Sequence, residues 1–245
     1  ASQHLHALAD ALFPKEAQRA EREAWTHRLL KNLKTWGPRT LMDAIAEAEE
    51  KKIAVVMPST LQGWYTDMKE GYNFFTFLNE ELPKIVHENF PKISSKPGDT
   101  FAAGLSMGGM GALKWAFVNP GRLSAVASLS SSIDMKRSME RAMKANNGVL
   151  PERMKHLWGS PEEIDGTVDD IPWLIDRALE SGKSLPKVYI ACGKEDFTYD
   201  CNTWFFEAYR DRLDITADLD GHGTHEWGFW DRQIKAVLDW LPVTE

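Results

Sequence analysis

Thr100-Phe101-Ala102-Ala103-Gly104-Leu105-Ser106-Met107-Gly108-Gly109-Met110-Gly111 is the stretch whose reading decides the fold. A short apolar run follows the turn signal Pro97-Gly98-Asp99 and ends at Gly104, which predicts a strand. Directly after it, Met107 to Val118 reads as a helix stopped by Asn119-Pro120. Between the two, Gly104-Leu105-Ser106-Met107-Gly108 fits G-x-S-x-G in the strand-to-helix context which that motif needs. A serine projecting from so sharp a turn crowds its neighbours, and glycines two before and two after it remove the Cβ atoms that would clash. Gly109 and Gly111 extend the small surface, letting the helix start close to the sheet with its N-terminal N–H groups aimed at an anion. The bland alternative is a glycine-rich turn whose serine merely caps the helix.

Outward from this turn, short apolar runs alternate with helical spacing. Ile53-Ala54-Val55-Val56-Met57 stops at Pro58 and reads as a strand buried on both faces. Residues 125–129, 188–192 and 215–219 read as three further strands. Phe75, Leu78, Leu82, Ile85 and Val86 recur at helical intervals with a kink expected at Pro83. Helical patterns also run from Trp173 to Leu179, from a cap at Asp200 through Leu213, and from Trp227 to Leu241. This alternation predicts an α/β domain with a mainly parallel sheet covered by helices on both faces. Residues 130–170, richer in Met, Ser and charge, read as a cap-like insertion over one end of the sheet. Residues 1–35 are atypical, with leucines at helical intervals among many charges and no strand pattern; residues 1–245 as a whole are read as one domain.

Composition narrows the partners. With 245 residues, 43% hydrophobic and 27% charged, the chain is neither disordered nor fibrous. A formal net charge of −7 without a long basic run makes nucleic acid and anionic membranes unexpected partners. No apolar stretch approaches the roughly 18 residues that cross a bilayer. Cys192 and Cys201 are too few for a disulfide framework, so a reducing compartment, the cytoplasm, is expected. A homo-oligomer stays open.

A serine hydroxyl needs a base to take its proton, and the base needs an orienting acid. In this kind of fold they follow in the order Ser, Asp, His, each after a strand. Asp196 sits just past the strand at 188–192 and His225 just past the one at 215–219. His222 is the rival base; Glu195, Asp200 and Asp220 are the rival acids, with helix caps and solvated loop charges as their bland reading. A metal site from Cys192, Cys201, His222 and His225 lacks the ligand spacing of known frames. Trp64 and Tyr65, with Asp67, follow the strand at 53–57 at the end of the sheet where ligands collect, so they serve either as pocket or as packing residues.

From about Trp36 to Pro242 the sequence resembles the tributyrin-esterase and acetyl-esterase group of α/β-hydrolases, close to esterase D or S-formylglutathione hydrolase and to family 1 carbohydrate esterases. The stretches that carry the resemblance are Val55-Val56-Met57-Pro58, Gly63-Trp64-Tyr65-Thr66-Asp67, Glu80-Glu81-Leu82-Pro83, Gly104-Leu105-Ser106-Met107-Gly108-Gly109, Cys192-Gly193-Lys194-Glu195-Asp196-Phe197 and Gly223-Thr224-His225-Glu226-Trp227. The resemblance implies Ser106 as nucleophile, His225 rather than His222 as base, and Asp196 as acid. It implies hydrolysis of small acyl esters, acetyl groups on sugars among them, through an acyl-enzyme and without metal or cofactor. The oxyanion hole would combine the Met107 N–H with a donor near Leu29. The family's His-Gly-x-x-Gly stretch is not matched there: Arg28 and Lys31 stand where glycines are expected, and the charged residues 19–26 stand where a mid-sheet strand is expected. N-terminal strands of the α/β-hydrolase fold are therefore expected to be missing or replaced, leaving a gap beside the strand at 100–104 or forcing it to pair with 53–57. The alternative function is an impaired homologue that binds a ligand or partner.

Overall fold

The structure is a computed structural model that describes Ala48 and residues 51–243. The chain divides between Val55 and Val56 into two units. The described part of the first is a turn in which the Ile53 N–H donates to the Ala48 carbonyl at 2.8 Å, with Lys52 at φ 57°. All elements named below belong to the second.

Four short runs of small and β-branched residues pair as parallel strands in the order β1 (Phe101–Leu105), β2 (Ala125–Leu129), β3 (Lys187–Ala191) and β4 (Ile215–Asp218). Side chains alternate between the faces of each strand, so every inner strand needs apolar residues on both. One face sets Val126, Val188 and Ile190 against a large core. The other sets Ala127, Leu129, Tyr189 and Ala191 against Phe229, Trp230 and Val237 of the last helix. Register aligns the strand ends: Leu105 lies opposite Leu129, Leu129 opposite Ala191, and Ala191 opposite Asp218. Loops that leave β1, β3 and β4 therefore emerge at one edge of the molecule, which is what assembles the site.

A helical run, α1, comprises Phe74–Thr76, a π turn at Phe77–Glu81, and Leu82–Asn89. The break comes just before Pro83, which has no N–H for the Asn79 carbonyl four residues back. Arg122 Nη1 donates to that carbonyl instead, at 2.9 Å. α2 (Met107–Val118) follows β1 directly. The segment after β2 carries α3 (Met135–Ala145), α4 (Glu152–Trp158) and a 3₁₀ turn at Pro161–Glu163, and leads to α5 (Ile171–Glu180). Its methionines work as core: Met135, Met139 and Met154 are buried together with Leu157 and Trp158. α6 (Tyr199–Tyr209) follows β3 and α7 (Trp227–Trp240) follows β4.

Two expectations are corrected. Residues 53–57 form no strand, and Val55, Val56 and Met57 are 50%, 47% and 54% exposed. β-branched composition favours a strand only where a neighbouring ladder receives its N–H and C=O groups. Among the described residues β1 has no partner on its outer side, so 53–57 does not pair with it directly. Residues 1–35, including the expected donor near Leu29, lie outside the described residues. The second correction concerns α6, which starts after Thr198 and stops at Tyr209, with Asp200 inside its first turn rather than capping it.

Candidate active site

Ser106 sits between β1 and α2 at φ 50° and ψ −119°, a left-handed φ that is costly for a residue with a Cβ. The surroundings hold it there. Its N–H donates to Leu129 O at 2.7 Å, and its carbonyl accepts from Ser131 Oγ at 3.0 Å and from the N–H of Gly109 at 3.1 Å. A Cβ on Gly104 would lie 2.2 Å from the backbone of Gly108, so the first glycine of the motif has a hard steric cause. The second does not: a Cβ on Gly108 would meet nothing nearer than the Tyr65 hydroxyl at 3.7 Å. The two glycines are alike in the motif, but only Gly104 is confined by backbone.

The Ser106 side chain makes no capping bond to α2. Its Oγ lies 2.9 Å from His225 Nε2, and His225 Nδ1 lies 2.8 Å from Asp196 Oδ2. An ionised carboxylate only accepts, which puts the imidazole proton on Nδ1 and leaves Nε2 to accept the serine proton. The Asp196 side chain is fully buried. Its other oxygen accepts from both the N–H and the hydroxyl of Thr198, each at 2.8 Å, and a buried charge needs such donors. Thr198 was not foreseen, although an acid followed two residues later by threonine is a recognisable Asx-type signal.

Two loops are tied together to bring Asp196 and His225 into register. The Gly223 N–H donates to Glu195 Oε2 at 2.7 Å, while the Glu195 N–H donates back to the Gly223 carbonyl at 3.1 Å. Gly193 permits this approach, since a Cβ there would lie 2.1 Å from the Gly223 carbonyl oxygen. Phe197 and Trp230 flank the His225 ring at centroid distances of 4.5 and 4.8 Å.

The rivals fall elsewhere. His222 is exposed and bonds Glu195 Oε1 at 2.6 Å, which holds the Glu195 carboxyl below its usual range. Asp200 lies in α6, and Asp220 is exposed beside Lys194. Among the described residues no cluster of His, Cys, Asp and Glu has the makings of a metal site. Burial pushes the Cys192 thiol up to about 11, so at neutral pH it is protonated and a poor nucleophile.

Met107 is the first residue of α2, where an N–H has no intrahelical acceptor. Trp64 and Tyr65 occupy consecutive left-handed positions at φ 49° and 54°. Trp64 packs edge-on against Trp158 of α4, with centroids 5.6 Å apart. Tyr65 lies against α2, and burial raises its phenol pKa, keeping the hydroxyl protonated. The same loop meets α4 through its backbone: the N–H groups of Lys69 and Glu70 donate to the carbonyls of Leu157 and His156, each at 2.9 Å.

A strained serine on a strand-to-helix turn, hydrogen-bonded to a buried acid through one imidazole, can move a proton off the hydroxyl and hold the resulting cation. The family model named Esterase matches residues 24–241. The chain belongs to the Esterase family. It is similar to an acetyl esterase of Caldicellulosiruptor saccharolyticus, 28% identical over 192 residues that make up 77% of this chain and 71% of that protein. Among solved structures, FphF, a fluorophosphonate-binding serine hydrolase of Staphylococcus aureus, matches with TM-score 0.69 and 30% identity over 82% of this chain and 75% of its own. S-formylglutathione hydrolase FrmB of the same organism matches with TM-score 0.67 and 28% identity over 81% and 75%. The chain spans less of the mycobacterial diacylglycerol acyltransferase/mycolyltransferase relatives, 64% of Ag85B from Mycobacterium leprae. This Esterase-family chain is thus a carboxylic-ester hydrolase of the α/β-hydrolase fold. No helix among its described residues is long and apolar enough to cross a membrane.

Proposed function

We propose that this esterase cleaves short-chain acyl esters, acetyl esters above all, with Ser106 as nucleophile, His225 as general base and acid, and Asp196 as orienting acid. The chain of hydrogen bonds from Ser106 Oγ through His225 to buried Asp196 is the observation that carries the reading. As Ser106 Oγ bonds to the acyl carbon, its proton passes to His225 Nε2. The carbonyl oxygen becomes an oxyanion beside the Met107 N–H. Collapse of the tetrahedral species breaks the ester bond, and the departing alkoxide takes the proton from His225. Water then repeats the sequence in reverse roles: it gives a proton to His225 and attacks the acyl carbon, and Ser106 leaves with that proton. Asp196 stays ionised throughout and stabilises the imidazolium.

Short acyl chains are favoured because the Trp64 loop and the insertion touch each other, through Trp64 with Trp158 and through Lys69 with Leu157, and so bound the acyl side. Similarity to an acetyl esterase supports the same choice. A cytoplasmic setting belongs to the proposal too, supported by two cysteines that are free and buried. The test is a series of p-nitrophenyl esters from acetyl to octanoyl. kcat/KM should be highest for acetyl and butyryl, with a burst of p-nitrophenol near one equivalent. A steady rise with chain length would refute the short pocket, and absence of turnover would refute the enzyme.

A further inference from the structure

Lys114 lies on α2, two turns beyond Ser106, and its side chain is fully buried. Its three N–H donors have three acceptors: Asp169 Oδ1 at 2.6 Å, Tyr65 O at 3.1 Å and Thr66 Oγ1 at 3.2 Å. The Thr66 hydroxyl in turn donates to the Asp169 carboxylate at 2.7 Å, and the Phe75 ring faces Nζ at 4.2 Å. Burial pushes this ammonium pKa down while Asp169 pushes it back up. Hydrophobic residues of similar volume often serve stability as well as a buried ion pair does, so stability alone does not account for a lysine here.

What the pair holds is specific. One acceptor is the carbonyl of Tyr65, the second of two consecutive residues at left-handed φ. The Tyr65 ring runs along the first turns of α2: a Cβ on Gly111 would lie 2.5 Å from its Cγ, and one on Gly108 would lie 3.7 Å from its hydroxyl. Gly108 presses with its other side on Gly104, so the first turn of α2 is clamped between Tyr65 and β1. That turn carries the Met107 N–H and the Ser106 elbow. Asp67 fastens the far side of the loop by accepting from the Thr76 N–H at 2.9 Å and from its hydroxyl at 2.6 Å.

We infer that Lys114 and Asp169 are positioning residues: together they press the Trp64 and Tyr65 turn onto α2 and thereby set the geometry of the Ser106 elbow for turnover. The inference rests on Ser106 being the nucleophile. Two independent variants test it. Lys114→Met combined with Asp169→Asn removes the pair without stranding a charge, and Gly111→Ala displaces the Tyr65 ring while leaving the pair intact. Each should lower kcat about 10-fold to 100-fold with KM changed by less than about threefold, because misplacement by about an ångström disturbs the transition state more than ground-state binding. The rate of Ser106 labelling by a fluorophosphonate should fall by the same factor, measured well below each variant's melting temperature. If the double variant does not fold, Gly111→Ala decides. Native kcat and labelling rate in the folded variants would overturn the inference. A wild-type protein that turns over esters without labelling at Ser106 would instead remove the nucleophile reading on which it rests.

Discussion

Asp196 shows how a single buried charge is kept in place and what it costs to disturb. Its oxygens are divided between His225 on one side and the N–H and hydroxyl of Thr198 on the other. Thr198→Val deletes one hydrogen bond to a buried carboxylate and should lower stability by about 1.5–3 kcal/mol, read by denaturant unfolding. Asp196→Asn keeps the shape but favours the wrong imidazole tautomer, and kcat should drop about 10⁴-fold. His222→Ala should leave kcat near the wild-type value, because His222 reaches Glu195 and not Ser106. Cys192 gives a pH test. Its thiol is held at about 11 against an ordinary 9.0, so it favours the folded state fully below pH 9, and that contribution is lost as pH rises from 9 to 11. Cys192→Ser should flatten that part of the stability profile. The positions of Ser106, Asp196 and His225, each just past its strand, were legible from spacing, and their hydrogen-bonded approach follows from those positions. Thr198, Ser131 and Lys114 were not, since hydrogen bonds to a neighbouring segment leave no periodic trace in a sequence.

At the level of elements, the strand-to-helix turn separates two glycines that look alike in the motif. Gly104→Ala forces a Cβ to 2.2 Å from backbone, which cannot move aside cheaply, and should cost at least about 1–3 kcal/mol. Gly108→Ala makes only ordinary van der Waals contact with the Tyr65 side chain, nearest at 3.7 Å, and should be neutral or stabilising by up to about 1 kcal/mol, checked by melting temperature. The segment at 53–57 makes the complementary point. Its composition is that of a buried strand, but composition does not supply a neighbour: among the described residues the run has no ladder, and Val55, Val56 and Met57 are exposed. Val56→Thr should therefore change stability by no more than about 0.5 kcal/mol, as at other surface positions. The strand β2 was read correctly because its neighbours on both sides were themselves legible as apolar runs between turn signals.

For the molecule as a whole, function follows from register. Parallel strands with level ends deliver Ser106, Asp196 and His225 to one edge of the sheet although they are far apart in sequence, and apolar clusters pack against both faces of that sheet. The alternation of apolar runs and helical spacing made this architecture readable, whereas the helices at 135–158, built on methionines among charges, were visible only once packed. Of all that follows from this arrangement, acylation of Ser106 is the central claim. The most direct measurement is treatment with a fluorophosphonate, followed by mass spectrometry of the intact protein and its peptides. One adduct on the peptide carrying Ser106 is expected, lost in Ser106→Ala and strongly slowed in His225→Ala; an adduct on another residue, or one that persists in Ser106→Ala, would contradict the account.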